Sequence, residues 1–204
     1  MIKLVAFDLG DVLLKYNPIV LAKEFIKDPD EAAWFIKEIF GPIEKVNDIG
    51  VPIEQASADA VLKYPKYKPF FEAFKTRSDE NTAERIAPNV QVFQAVKKAG
   101  YPITIWSNFQ DEGWADTLKR HPFIGTADYF VVSAHIGILK PEPGFFDAAF
   151  AKHPDIAPEN IVFIDDRDDI TKAARARGVK TVTYNPSINL EAELKKMGLV
   201  FSVN

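Results

Sequence analysis

Four polar clusters in this chain carry side chains that could act together. Asp8 ends the apolar run of residues 2–7, Ser107-Asn108 follows a second run at 102–106, Lys140 precedes Pro141, and Asp165-Asp166 closes a third run at 161–164. One carboxylate, a hydroxyl beside an amide, an ammonium and an acidic pair are the groups needed for phosphoryl transfer through an aspartyl-phosphate. A carboxylate can attack phosphorus only when its repulsion from the phosphate dianion is cancelled, which calls for a divalent cation on hard oxygens. Asp8 and Asp166 could hold that cation. Ser107 and Asn108 could supply the hydroxyl and amide donors to the other phosphate oxygens, and Lys140 a point positive charge.

Singly, each cluster has an ordinary explanation. An Asp or Ser at a strand end is often a helix N-cap, a Lys before Pro is commonly solvated, and the run Asp165-Asp166-Arg167-Asp168-Asp169 could be an acidic turn favoured by a helix dipole. Four such coincidences at successive strand ends are less probable than one shared site.

The elements that must position these groups can be read from the pattern of the chain. Short apolar runs at 2–7, 102–106, 128–132, 161–164 and 180–184 predict buried parallel strands. Helical patterns at 89–99, 142–152, 168–177 and 189–197 alternate with them. This alternation predicts an α/β fold with a doubly wound, mostly parallel, Rossmann-like sheet. In such sheets ligands collect beyond the carboxyl ends of the strands, where the strand order reverses. Residues 17–86 break the rhythm with aromatic and charged residues at helical spacing. They are expected to form a helical subdomain inserted into a core made of residues 1–16 and 87–204, with Phe25, Trp34, Phe35, Phe40, Phe70, Phe71 and Phe74 as its small core.

Composition narrows the function classes. The chain has 204 residues, 47% hydrophobic and 26% charged, with a formal net charge of -4 and no cysteine. Disordered and fibrous classes are excluded, as are disulfides and thiolate chemistry. No basic stripe invites nucleic acid, and neither a P-loop nor a GxGxxG pattern is present. The N-terminal apolar run is too short for a signal peptide and no stretch is long enough to span a membrane, so the chain reads as cytoplasmic. His121, His135 and His153 lack the spacing of a ligand set and read as structural or surface residues.

With these residues identified, the chain resembles the haloacid-dehalogenase-like hydrolases. Phe7-Asp8-Leu9-Gly10-Asp11-Val12-Leu13, Ile105-Trp106-Ser107-Asn108, Gly137-Ile138-Leu139-Lys140-Pro141-Glu142-Pro143 and Val162-Phe163-Ile164-Asp165-Asp166 are similar to that family's four ordered motifs. The resemblance implies that Asp8 is the nucleophile, that Ser107 and Lys140 bind the transferring phosphoryl group, and that Asp166, joined by Asp165, Asp8 and the Gly10 carbonyl, holds Mg2+. The helical insert is similar to the α-helical cap of the subgroup containing sugar-phosphate phosphatases and the phosphatase domain of epoxide hydrolases. The expected substrate is thus a small, sugar-like phosphorylated metabolite.

One position departs from the family pattern. The residue two after the nucleophile usually contributes an Asp as general acid/base, and here it is Gly10, which keeps only the carbonyl. Asp11, the insert or the substrate would have to supply the proton. Two alternatives stand beside the phosphatase: a 2-haloacid dehalogenase, disfavoured by Gly10 and by the acidic pair, and a catalytically weak member that binds a phosphorylated ligand or a protein.

Overall fold

A computed structural model of the chain describes residues 1–203. Five strands, β1 (Leu4–Phe7), β2 (Ile103–Ser107), β3 (Tyr129–Val132), β4 (Ile161–Asp165) and β5 (Lys180–Thr183), form one fully parallel sheet in the order β3-β2-β1-β4-β5. The strands are apolar along their whole length because both faces are covered. Leu4 and Ala6 of β1 pack with Trp106, Phe163, Phe145, Phe146 and Ile170 on one face. Val5 and Phe7 pack with Ile105, Val90, Phe93 and Leu194 on the other. The helices Pro143–Ala151 and Asp168–Ala176 supply the first cover, Ala87–Lys98 and Leu190–Lys196 the second. The strand order reverses between β1 and β4, so the crevice expected to receive a ligand opens where Asp8 and Asp165 stand side by side.

Between β1 and β2 the chain forms a set of helices, from Ile19–Phe25 to Lys68–Arg77 and a final turn Ser78–Thr82, and no strand. Its buried side chains make a hydrophobic cluster of their own, drawn from Leu21 to Phe74. Phe35 is its hub, with ring centroids 4.4 Å from Tyr67 and 4.9 Å from Phe70. Phe40, Phe70, Phe71 and Phe74 are buried there as expected, but Phe25 and Trp34 are not: they are 36% and 43% exposed, because they lie on the outward faces of their short helices. The segments entering and leaving the insert run side by side, with Lys15 N donating to Glu84 O at 2.8 Å and Asn17 N to Asn81 O at 2.8 Å.

The tip of the insert is fastened to the sheet domain. Glu112 Oε2 accepts from Asn47 Nδ2 and from the Ile53 amide, each at 3.0 Å. Ser133, the first residue of a short helix after β3, donates from Oγ to Asp48 O at 2.5 Å. Gly50 has φ +91°, and a Cβ there would lie 2.8 Å from Ala134 O, so only glycine allows this approach. Among the described residues no helix is long and apolar enough to cross a membrane.

Candidate active site

Asp8 is placed by the end of β1, its amide donating to Ile164 O at 2.9 Å. The chain then turns back tightly: Leu9 O accepts from Leu13 N and Leu14 N, both at 2.9 Å, and Asn89 Nδ2 holds Val12 O at 2.7 Å. Gly10 keeps an ordinary backbone conformation, whereas Asp11 is left-handed with φ 50°. Asp11 is exposed at the edge of the cavity described below, and its Oδ1 accepts from the Tyr16 amide at 3.1 Å.

Lys140 is 2% exposed, an extreme position for an ammonium, and its nitrogen has three oxygen neighbours. It donates to Trp106 O at 2.8 Å and to Asp165 Oδ2 at 2.7 Å, and lies 3.0 Å from Asp8 Oδ1 as an ion pair. Its main chain is braced by Asn108, whose carboxamide accepts from Lys140 N at 2.8 Å and donates to Lys140 O at 3.0 Å. One of the two N–H groups of the Asn108 amide is thus spent on bracing the lysine, and the other stays uncommitted on a side chain that also lines the cavity described below. Ser107 is the last residue of β2 rather than the first of a loop and is buried, with Oγ 3.4 Å from Asn108 O.

Asp165 is likewise the last residue of its strand and fully buried. Both of its oxygens have protein partners, Oδ2 with Lys140 and Oδ1 with the Arg167 amide at 2.9 Å. Asp166 is half-buried and more open. Ligand atoms from Asp8, Asp165 and Asp166 all lie within 4.8 Å of one another, a spacing and donor chemistry that fit a hard divalent cation. With Asp165 already committed to Lys140, Asp8 and Asp166 are the freer ligands.

Charge crowding shows in the acidities. Burial, opposed by Lys140 and reinforced by Asp165, pushes the Asp8 carboxyl up to about 7. Burial, with Asp165 and Asp11, raises Asp166 to about 6. Burial alone would lower the Lys140 ammonium, but Asp165 and Asp8 carry it above the usual lysine value.

These groups open into a cavity of about 290 Å3. From the strand ends it is lined by Asp8, Gly10, Asp11, Asn108 and Asp166. From the insert and its entry segment it is lined by Tyr16, whose hydroxyl donates to Glu44, together with Glu44 and Asp48. Burial holds Glu44 at about 7 and, with Glu44 and Asp8 nearby, raises Asp48 well above the carboxylate range. Tyr16, Glu44 and Asp48 were not among the residues singled out in the sequence. The signal was there, since Glu44 and Asp48 are four apart and share a helical face. A larger hollow of about 630 Å3 on the insert, lined by Val61 and Phe71, contains none of this machinery. The histidines lie outside the cavity: His121 and His153 are buried, and His135 pairs with Asp111 at 3.2 Å.

A family profile described as haloacid dehalogenase-like hydrolase matches residues 6–184. Bifunctional epoxide hydrolase 2 of Rattus norvegicus is 27% identical over 122 residues, a match taking in 54% of this chain and 20% of the rat protein. The chain thus spans about a fifth of the length of the curated relatives it matches. Among solved structures, the HAD family enzyme bt-2542 of Bacteroides thetaiotaomicron has a TM-score of 0.73 at 19% identity, covering 95% of this chain and 98% of its own. That enzyme has also been solved in complex with magnesium and inorganic phosphate, with a TM-score of 0.66 at 20% identity over 95% of this chain and 99% of its own. A protein described as a dehalogenase superposes with a TM-score of 0.70 at 16% identity, over 96% of each chain.

Proposed function

Because the chain belongs to the haloacid dehalogenase-like hydrolases, we propose that this hydrolase is a Mg2+-dependent phosphohydrolase that acts on a small phosphate monoester through an aspartyl-phosphate on Asp8. The observation that carries this reading is the convergence of the Asp8, Asp165 and Asp166 ligand atoms within 4.8 Å, with one buried lysine against them. Three carboxylates and one ammonium leave a surplus of negative charge that a dianionic substrate would worsen. A divalent cation removes that conflict, and when bound it supplies charge compensation between Asp8 and the phosphate.

The residues divide the work as follows. Asp8 attacks phosphorus; the new O–P bond forms as the bond to the leaving oxygen breaks, and that oxygen takes a proton. Lys140 holds Asp8 in place and offsets charge on the phosphoryl group, Ser107 hydrogen-bonds it, and Asp165 fixes the lysine. Water then attacks phosphorus, releasing inorganic phosphate and restoring Asp8. The helical insert serves as a lid that excludes bulk water while this happens. The Mg2+ complex with phosphate described for bt-2542 supports the reading.

The dehalogenase of similar fold keeps a second reading in view, attack by Asp8 on carbon with loss of halide. That chemistry needs no cation, and the three converging carboxylates argue against it. Assays with 4-nitrophenyl phosphate and with a 2-haloacid, each with and without Mg2+, separate the two. Phosphate release only with Mg2+ is expected; halide release without metal would overturn the phosphatase.

A further inference from the structure

We propose that Asp48 is the acid/base of this site, reaching from the helical insert to the leaving oxygen that no side chain at position 10 can serve. The proposal rests on the phosphohydrolase reading above. In the first half-reaction the Asp48 carboxyl gives its proton to the departing oxygen as the P–O bond breaks. In the second, the resulting carboxylate takes a proton from the water that attacks the phosphorus of the aspartyl-phosphate. The balance closes: Asp48 ends protonated, Asp8 ends free, and alcohol and phosphate leave.

Three observations select Asp48. First, it lines the same cavity as Asp8 and Asp166, and reaches it from the helical insert rather than from the strand ends. Second, its backbone carries the anchoring contacts. Its amide caps the preceding helix by donating to Glu44 O at 2.7 Å, and its carbonyl accepts from Ser133 Oγ at 2.5 Å. Glu112 fixes the residues on either side through Asn47 and Ile53. The main chain that carries the carboxyl is thus tied to the sheet domain at several points, as a proton donor of defined position requires. Third, the competing acids have other work. Asp11 also lines the cavity, but it is exposed and its Oδ1 accepts from the Tyr16 amide, while Glu44 accepts from the Tyr16 hydroxyl. Burial, with Glu44 and Asp8 as the charged groups facing it, keeps the proton on Asp48 before the reaction starts.

The test is transient kinetics on the full chain with Mg2+ and 4-nitrophenyl phosphate, whose leaving oxygen needs no proton. Asp48→Asn should show a burst of nitrophenol equal to the enzyme concentration, because Asp8 still attacks. Steady-state turnover should then be ~100-fold slower, the lower range for a positioned acid/base, as the phosphoenzyme waits for a base. With glycerol 2-phosphate, which needs the acid as well, the burst should vanish. Gly10→Asp in the Asp48→Asn background should restore turnover, since a Cβ at Gly10 meets only Tyr16 Cβ, at 3.7 Å.

Steady-state turnover of Asp48→Asn within about threefold of the native chain would overturn the proposal. So would a loss seen only as a raised KM for an ammonium-bearing ester such as phosphoethanolamine, which would make Asp48 a binding contact. The same two-phase kinetics in Asp11→Asn, with Asp48→Asn unaffected, would transfer the role to Asp11. No Mg2+-dependent phosphate release by the native chain from either ester would remove the phosphohydrolase reading itself, and the proposal with it.

Discussion

Ser133 Oγ donates to Asp48 O at 2.5 Å across 85 residues of sequence, and the same Oγ accepts from the Phe109 amide at 2.9 Å. One hydroxyl thereby joins the end of β3, the segment after β2 and the tip of the insert. Removing it leaves the fold its apolar cores but frees the insert's side of the cavity. Ser133→Ala is expected to lower kcat by about tenfold with little change in KM, while thermal unfolding shifts by no more than the ~1 kcal/mol of a lost hydrogen bond. Equal losses in kcat and in stability would make Ser133 a general structural residue.

Lys140 and Asp165 are both buried to the last few per cent, so removing either leaves the other as an uncompensated charge. Lys140→Ala is expected to cost about 3–5 kcal/mol in denaturant unfolding and ~100-fold or more in kcat/KM. Adding Asp165→Asn should recover most of the stability and none of the activity. Recovery of both would place the lysine's contribution in folding alone.

The raised acidities set the pH response of the metal-free protein. Asp8 at about 7 and Asp166 at about 6 both lie above the ordinary Asp value of 3.8. The folded state therefore favours their protonated forms. Their contribution to stability is full below about pH 4 and is lost as pH rises through 6 to 7. Mg2+ competes with those protons for the same oxygens, so the gain in Tm on adding Mg2+ should be small near pH 5.5 and large near pH 8. Asp166→Ala should abolish this gain, whereas Asp168→Ala, whose exposed carboxylate pairs with Lys172, should leave it intact. A Mg2+ effect independent of pH would remove these carboxylates from the metal site.

Asp8→Asn is expected to end turnover while raising the Tm of the metal-free protein near pH 8, because an amide of the same size removes a buried charge whose desolvation, with repulsion from Asp165, outweighs its attraction to Lys140. Calorimetry and the phosphate assay on one preparation check both halves. Residual Mg2+-dependent hydrolysis would exclude the covalent route.

Phe35 touches Phe40, Tyr67, Phe70 and Phe71 at the centre of the insert's own cluster. Phe35→Ala should cost about 3–5 kcal/mol of local stability. Hydrogen exchange should speed up across Leu21–Phe74 and stay slow in β1 to β5. Uniform acceleration would mean that the insert and the sheet unfold as one unit.

Period and punctuation made the sheet legible: each apolar run stands within a residue or two of an observed strand, because strands buried on both faces need continuous hydrophobicity. The helix Trp114–Arg120 was missed, since its WADTLKR segment is short and only partly covered by the core. Asp8, Lys140 and Asp166 were legible because strand ends converge in this topology. The bracing role of Asn108 was not, because nothing local shows that a carboxamide also holds a backbone 32 residues away. Gly10 could be recognised as a missing acid, but its ordinary φ and the open space beside it required coordinates. The i,i+4 spacing of Glu44 and Asp48 marks a shared helical face, but that this face meets Asp8 depends on the packing of the insert against the sheet through Ser133 and Glu112, which joins segments with no pattern in common.

The central strand has a consequence for how the chain comes together. Val5 registers with Ile103 on one side and Val162 on the other, so β1 cannot complete either ladder until segments far downstream have been made. The insert needs no such wait, because its buried cluster is drawn entirely from Leu21 to Phe74. During synthesis the insert's local contacts form while Leu4–Phe7 remains an apolar strand with unpaired amides, the kind of segment that pairs with other chains. Because closing a longer loop adds only slowly to the entropic cost, the delay weighs on time more than on final stability. The unpaired interval of β1 is thus the stage of folding at which association between chains competes with completion of the sheet.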